Sequence, residues 1–262
     1  MRRWGALAAV VLLLAACDLH GDDWIRVAGR APFGSRLLLG GTGFLIHGGY
    51  IVTARHVVED CRAIHVTAAS GIFEAAGARV AALPTNPLMD LALLRLDPAV
   101  SGLPPGAPLS DLWPSDTWEG EASSPWPKIE QPLFMVGYSG VDAIDPPKTA
   151  PLSQTIAARL TNPSWHGDAL AVFGDITHGD SGSPVIDQSG RVVGVIFAVA
   201  FDSEQLRKRG IHGAVGFAFR ARDLAYFLAE AGASPEIDDG RAATPVAAGA
   251  FMPNMMRVFC YR

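Results

Sequence analysis

Short apolar runs recur along the chain, at Arg36–Leu39, Thr42–Ile46, Tyr50–Ala54, Ile64–Ala68, Arg79–Ala82, Leu91–Leu96, Leu133–Gly137, Ser153–Leu160, Ala169–Phe173, Pro184–Ile186, Arg191–Ala198 and Ala214–Phe219. Most have the length of an ordinary β-strand. Turn residues separate them: His47-Gly48-Gly49, and Asp187-Gln188-Ser189-Gly190 between two Val/Ile-rich runs. The second of these is a hairpin signal, and many short strands at this spacing predict an all-β sandwich or barrel. One segment has helical periodicity: Arg222–Ala231 sets Leu224, Phe227 and Leu228 on one side, with Gly232 as its stop. A short helix is also expected around His56-Val57-Val58. Residues 98–132 are rich in Pro, Ser, Asp and Trp without periodicity and read as a long surface excursion. The tail 233–262 reads as an irregular extension, with Met255–Tyr261 its one candidate for regular structure.

Composition narrows the class. Of 262 residues 49% are hydrophobic and 18% charged, which excludes intrinsic disorder. No collagen repeat, heptad run or longer internal period is visible. The net charge of −5 with no long basic run excludes nucleic acid as the main partner.

The first residues form a separate signal. Arg2 and Arg3 precede the apolar stretch Gly5–Ala16. That stretch is shorter than the roughly 20 residues a membrane span needs. Its length and flanks are those of a signal peptide covering residues 1–16. It ends in Leu14-Ala15-Ala16-Cys17, which resembles the lipobox of bacterial lipoproteins. The resemblance implies lipidation of Cys17, export, and anchoring to a bacterial membrane on its periplasmic side, with 17–35 as a linker. The plainer reading is an ordinary secretory signal followed by an unrelated Cys. Asp18 resembles an inner-membrane retention signal. Cleavage removes two Arg and leaves a net charge of −7. It also leaves Cys61 and Cys260, which an exported compartment permits to pair; spacing alone leaves that pairing open.

Three segments carry candidate chemistry: Thr53-Ala54-Arg55-His56, Asp90-Leu91-Ala92-Leu93-Leu94, and Gly179-Asp180-Ser181-Gly182-Ser183-Pro184. Each alone has a bland reading as a structural His, a strand-edge Asp or a polar turn. Together, in the order His, Asp, Ser, they resemble the trypsin/chymotrypsin-like serine peptidases. Leu133–Tyr138, Val192–Val195 and Gly216–Ala218 resemble further strands of that family, so the likeness runs from about Leu37 to Leu228.

The resemblance implies two six-stranded antiparallel β-barrels spanning 36–232, with the site between them and a C-terminal helix. It implies hydrolysis of peptide bonds in a protein or peptide substrate through an acyl-enzyme on Ser181. A Ser hydroxyl needs an adjacent base, a role that falls to His56. Asp90 would orient the imidazole, and the N–H groups of Gly179 and Ser181 would bind the oxyanion. No cofactor is implied. No His-Glu-x-x-His occurs, and His20, His47, His65, His166, His178 and His212 show no metal-ligand spacing. Gly137-Tyr138-Ser139-Gly140-Val141 fails as a nucleophile elbow at its last position. The competing class is a retired peptidase fold acting as a binding or scaffold lipoprotein.

The sequence departs from the family in informative places. Asp180 is the residue that in trypsin-like zymogens receives a freed N-terminal Ile, but no Ile-Val-Gly-Gly start exists here. A lipidated Cys17 could not insert there. Asp180 is therefore expected to take a local partner such as a backbone donor. Gly41-Thr42-Gly43-Phe44 resembles the start of bacterial members that fold active. Cys61 lies five residues after His56, so the family's common bridge beside the His is absent.

The specificity pocket is drawn from Asp175, Ile176, Thr177, His178, Phe197, Ala198 and Val199. Asp175, six residues before Ser181, would favour basic side chains if buried. Val199 would narrow the pocket toward small aliphatic ones. Asp175–His178 also resembles the corresponding loop of HtrA-type peptidases, but too few residues follow the helix for a PDZ domain.

Overall fold

The computed structural model describes residues 37–72, 75–110, 132–139, 147–152, 154–162, 165–200, 213–238 and 248–262. The signal peptide, Cys17, the linker 17–35 and most of the 98–132 excursion lie outside the described residues. So do His20 and His212. The strands are β1 (Leu37–Ile46), β2 (Tyr50–Thr53), β3 (Ala63–Ala68), β4 (Ala76–Ala82), β5 (Ala92–Leu96), β6 (Leu109–Ser110), β7 (Leu133–Gly137), β8 (Lys148–Pro151), β9 (Gln154–Asn162), β10 (Trp165–Phe173), β11 (Pro184–Asp187), β12 (Val192–Ala200), β13 (Val215–Arg220), β14 (Ile237–Asp238) and β15 (Met255–Tyr261). Helices are α1 (Arg55–Val58), α2 (Ala221–Glu230) and a 3-10 helix at Ala248–Asn254.

The first barrel is closed, in the order β1-β15-β3-β4-β5-β2. The second sheet runs β8-β7-β11-β12-β13-β10-β9. Its end strands β8 and β9 follow one another in the chain with only Leu152 and Ser153 between them. The chain itself thus joins the two ends of this seven-strand path, the second barrel of the fold. Short β6 and β14 extend this sheet beside β12.

Burial explains why most runs are continuously apolar instead of alternating. In β1, Leu45 points into the first barrel with Ile51, Val66, Leu94 and Val258, while Phe44 and Ile46 point into the core between the barrels. In β12, Val193 and Ile196 fill the second barrel, while Val192 and Val195 join the inter-barrel core. A strand buried on both faces has no polar side to show. The inter-barrel core also takes Leu224, Phe227 and Leu228 of α2, the apolar stripe read from the sequence. That helix stops at Gly232, at φ +70°, where the Ala233 N–H reaches back to the Leu228 carbonyl at 2.9 Å.

The reading of 233–262 as an irregular extension needs correction. Met255–Tyr261 forms β15, fully buried, which pairs with β1 on one side and β3 on the other. The last strand of the chain completes the first barrel. Its position is non-local, and burial of all seven residues removes any alternation, so the pattern carried little sign of it. Cys61 and Cys260 form a disulfide across this closure, with Cα atoms 5.4 Å apart.

The bridge spans 199 residues of sequence, so it removes much freedom from the unfolded chain. A Cys61→Ser/Cys260→Ser variant is expected to lose about 2–5 kcal/mol of stability in denaturant titration. An unchanged midpoint would show that β15 holds the barrel closed by pairing and burial alone.

Candidate active site

α1 begins directly after β2 and carries His56 in its first turn. Val57 and Val58 of the same turn are buried in the first barrel, which fixes the helix against its own strands. Asp90 lies two residues before the start of β5, which pairs with β2, so both residues sit at the same end of adjacent strands. The two Asp90 oxygens divide the work. Oδ1 accepts the His56 backbone N–H at 2.8 Å, and Oδ2 lies 2.6 Å from His56 Nδ1. An ionised carboxylate only accepts, so Nδ1 must carry the proton. That leaves Nε2 of the neutral ring as a lone-pair base. The His56 side chain is 43% exposed and that of Asp90 27%, so the imidazole edge is accessible.

Ser181 comes from the other barrel, in the loop before β11. The loop is pressed onto the middle of β1 and the end of β2 at a point where no side chain fits. Gly182 has φ +88°, and a Cβ there would collide with the Thr42 carbonyl and approach Thr53 Oγ1 to 2.7 Å and Ala54 N to 3.0 Å. The Thr42 N–H donates to the Ser181 carbonyl at 2.9 Å, and the Gly182 N–H to the Ile196 carbonyl at 2.7 Å. A Cβ on Gly41 would meet Val57 at 2.7 Å and the Ser181 carbonyl at 3.2 Å. The backbone of Ser181 therefore lies against the residues that flank His56. Gly179 is buried at φ +98°, a conformation that favours glycine. Among the described residues, the N–H groups of Gly179 and Ser181 have no acceptor.

Asp180 is fully buried between these two residues. Its Oδ2 accepts the Thr177 N–H at 2.8 Å and its Oδ1 the Ser139 hydroxyl at 3.0 Å. No cation pairs with it among the described residues. Burial pushes its pKa up from 3.8 to about 6, against the two hydrogen bonds that lower it, with Asp175 adding a smaller upward push. The local backbone partner expected from the sequence is thus Thr177. Gly137 allows the approach: a Cβ there would strike Ser183 Oγ and come within 2.7 Å of Asp180 Oδ1.

The residues expected to form a specificity pocket divide. Ile176 is buried against Gly216, whose added Cβ would lie 2.8 Å from Ile176 Cδ1. Val199 pairs with Gly216 across β12–β13 and packs in the same core cluster as Ile176. Phe197 is buried and stacked on Phe219, ring centroids 4.2 Å apart. Ala198 is half-buried. Thr177 serves Asp180 through its backbone. Asp175 and His178 are exposed. Sequence reading missed Thr42, Ser139 and Gly137 as parts of the site. Their signal is a small residue far away in sequence, which becomes meaningful only when the barrels meet. Among the described residues no cluster of His, Cys, Asp or Glu could hold a metal ion, and no helix is long and apolar enough to cross a membrane.

Residues 41–195 match the family model described as a trypsin-like peptidase domain. The serine protease Rv3671c of Mycobacterium tuberculosis is 28% identical over 223 residues, which cover 82% of this chain and 48% of that protein. The chain spans about half the length of the curated relatives it matches first. Among solved structures, the active form of the Rv3671c protease is similar with a TM-score of 0.53 and 26% identity, over 81% of this chain and 78% of that one. The inactive form gives 0.52 and 28%, over 76% and 87%.

The Asp180 environment has a pH signature. A carboxyl whose native pKa is raised binds its proton more tightly folded than unfolded. Its stabilising effect is full below about pH 4 and is lost as pH rises through about 6. Asp180→Asn is expected to remove about 2 kcal/mol of pH-dependent change between pH 4 and 7. Denaturation midpoints of the two proteins across that range test it; parallel profiles would mean that Asp180 does not titrate there.

Proposed function

Because the chain belongs to the trypsin-like peptidase domain family, we propose that it is a serine endopeptidase that cleaves peptide bonds through an acyl-enzyme on Ser181. The observation that carries this reading is the double hold of Asp90 on His56, opposite a nucleophile loop docked beside the same helix. With Nδ1–H committed to Asp90, Nε2 takes the Ser181 hydroxyl proton as Oγ attacks the substrate carbonyl. The tetrahedral oxyanion is met by the N–H groups of Gly179 and Ser181. The protonated His56 then gives its proton to the leaving amine as the peptide C–N bond breaks. Water, deprotonated by the same Nε2, releases the acyl group and restores the serine.

The pocket favours a small aliphatic residue before the cleaved bond. Supporting this, Ile176 packs on Gly216 and Val199 joins the same apolar cluster, so these expected pocket residues offer no charge to a side chain. Asp175 is exposed, so it does not supply the buried carboxylate that a basic side chain would need.

The mature protein is exported and lipid-anchored through Cys17, facing the periplasm. Supporting this are the signal-like residues 1–16 and a disulfide suited to an oxidising compartment.

Four measurements test these statements. Wild type should react with a fluorophosphonate probe, and Ser181→Ala and His56→Ala should not. Asp90→Asn should lower kcat by about 10⁴-fold. An unlabelled, folded wild type would favour a binding or scaffold role instead. In a peptide library varied at the residue before the cleaved bond, Ala and Val should lead, and Asp175→Ala should leave that ranking unchanged. Cys17→Ser should move the protein from the membrane to the soluble fraction; retention in the membrane would exclude the lipid anchor.

A further inference from the structure

Thr42 lies within β1 with no solvent exposure, and its polar groups make four hydrogen bonds. Its N–H donates to the Ser181 carbonyl, and its carbonyl accepts the Thr53 hydroxyl at 2.7 Å. Its own hydroxyl donates to the Gly179 carbonyl at 2.9 Å and accepts the Tyr138 N–H at 3.0 Å. The sense of both side-chain bonds is fixed, because a carbonyl only accepts and an amide N–H only donates. One buried hydroxyl thus ties β1 to the residue after β7 and to the loop of the nucleophile, 137 positions away in sequence.

The partner it holds is Gly179, whose N–H has no acceptor among the described residues and whose φ is +98°. Glycine at such a φ has little intrinsic resistance to rotation. The next residue is held by its side chain, through Ser139 and Thr177. The Gly179 carbonyl is held by Thr42. Holding both Asp180 and the Gly179 carbonyl fixes the 179–180 peptide plane, the middle of the segment that runs from the Gly179 N–H to the Ser181 N–H.

We propose that the Thr42 hydroxyl is the positioning group of the oxyanion-binding segment. It acts through Gly179 and does not touch substrate. This rests on the peptidase reading of the site. It predicts that the hydroxyl matters more to the transition state than to substrate binding, since the oxyanion exists only there. A tie that merely joins the barrels would affect folding and leave turnover per folded molecule unchanged.

The test uses the full chain, with active sites counted by fluorophosphonate labelling. Thr42→Val, Thr42→Ser and, as a destabilised control, Val66→Ala in β3 are compared with wild type. Val66 is buried in the first barrel and belongs to the core cluster of its interior. The readouts are kcat and KM on a peptide substrate, and affinity for a peptidyl trifluoromethyl ketone. That inhibitor forms a bond from Ser181 Oγ to its carbonyl carbon, passes the serine proton to His56 and leaves an oxyanion in the hole.

Thr42→Val is expected to lower kcat per labelled site by about 10- to 100-fold, below the roughly 10²–10³ seen when an oxyanion donor itself is lost. KM should stay within about threefold, and ketone affinity should fall by the same factor as kcat. Thr42→Ser should recover kcat to within about threefold, because it restores the donor. Val66→Ala should lower the melting temperature with kcat unchanged. If Thr42→Val does not fold, Thr42→Cys carries the comparison, since a thiol keeps the size and donates weakly.

The proposal is overturned if the Val variant loses stability but keeps kcat and ketone affinity, or if serine fails to restore them. A wild type that neither labels nor hydrolyses peptide would overturn the peptidase reading itself, and this assignment with it.

Discussion

The site depends on one seam, where the middle of β1 meets the loop of Ser181. His56 and Asp90 belong to the first barrel and Ser181 to the second, so nothing in either barrel alone sets their separation. The seam joins the Thr42 N–H to the Ser181 carbonyl and the Thr42 hydroxyl to the Gly179 carbonyl, with Gly41 and Gly182 placed where a side chain would force the surfaces apart. Each hydrogen bond is worth only about 1 kcal/mol net. The contact holds because these groups are buried and leaving one unpaired costs more than the bond supplies. The inter-barrel core of Phe44, Val52, Leu93, Val195 and Phe219 presses the two sides together.

The same seam reaches the end of the chain. β15 closes the first barrel beside β1, and the disulfide secures that closure near α1. From β15, Arg257 projects with its guanidinium carbon 5.6 Å from the Tyr138 ring and 5.1 Å from that of Phe259. Burial pushes the Tyr138 hydroxyl pKa up to about 12, with the Arg257 charge opposing. Tyr138 follows Gly137 and gives its N–H to Thr42. The last strand is therefore packed against the support of the nucleophile loop as well as against the barrel.

Asp180 shows how this chain holds that loop with neutral groups. A fully buried carboxylate next to the nucleophile is met by one hydroxyl and one backbone N–H, with no cation among the described residues. Such a site favours the protonated acid more than a paired one would. The loop's stability and the solution pH are consequently linked through a residue that takes no part in the proton transfers assigned to His56.

Much of this was legible in the sequence. The apolar runs marked most of the strands, because strands of this length buried on both faces must be apolar. The segments around His56, Asp90 and Ser181 carried the chemistry, because that chemistry needs particular residue types in fixed local settings. Gly232 marked the end of α2, because a residue at φ +70° there suits glycine. The tertiary structure decided the rest. Only it shows β15 in the first barrel, since pairing across some 200 residues leaves no local periodicity. Only it separates exposed Asp175 from buried Ile176, neighbours that the pattern could not rank. Thr42, Ser139 and Gly137 owe their importance to what packs against them from distant parts of the chain. A small residue in a strand or loop has no signature of its own until the partner it supports is in place.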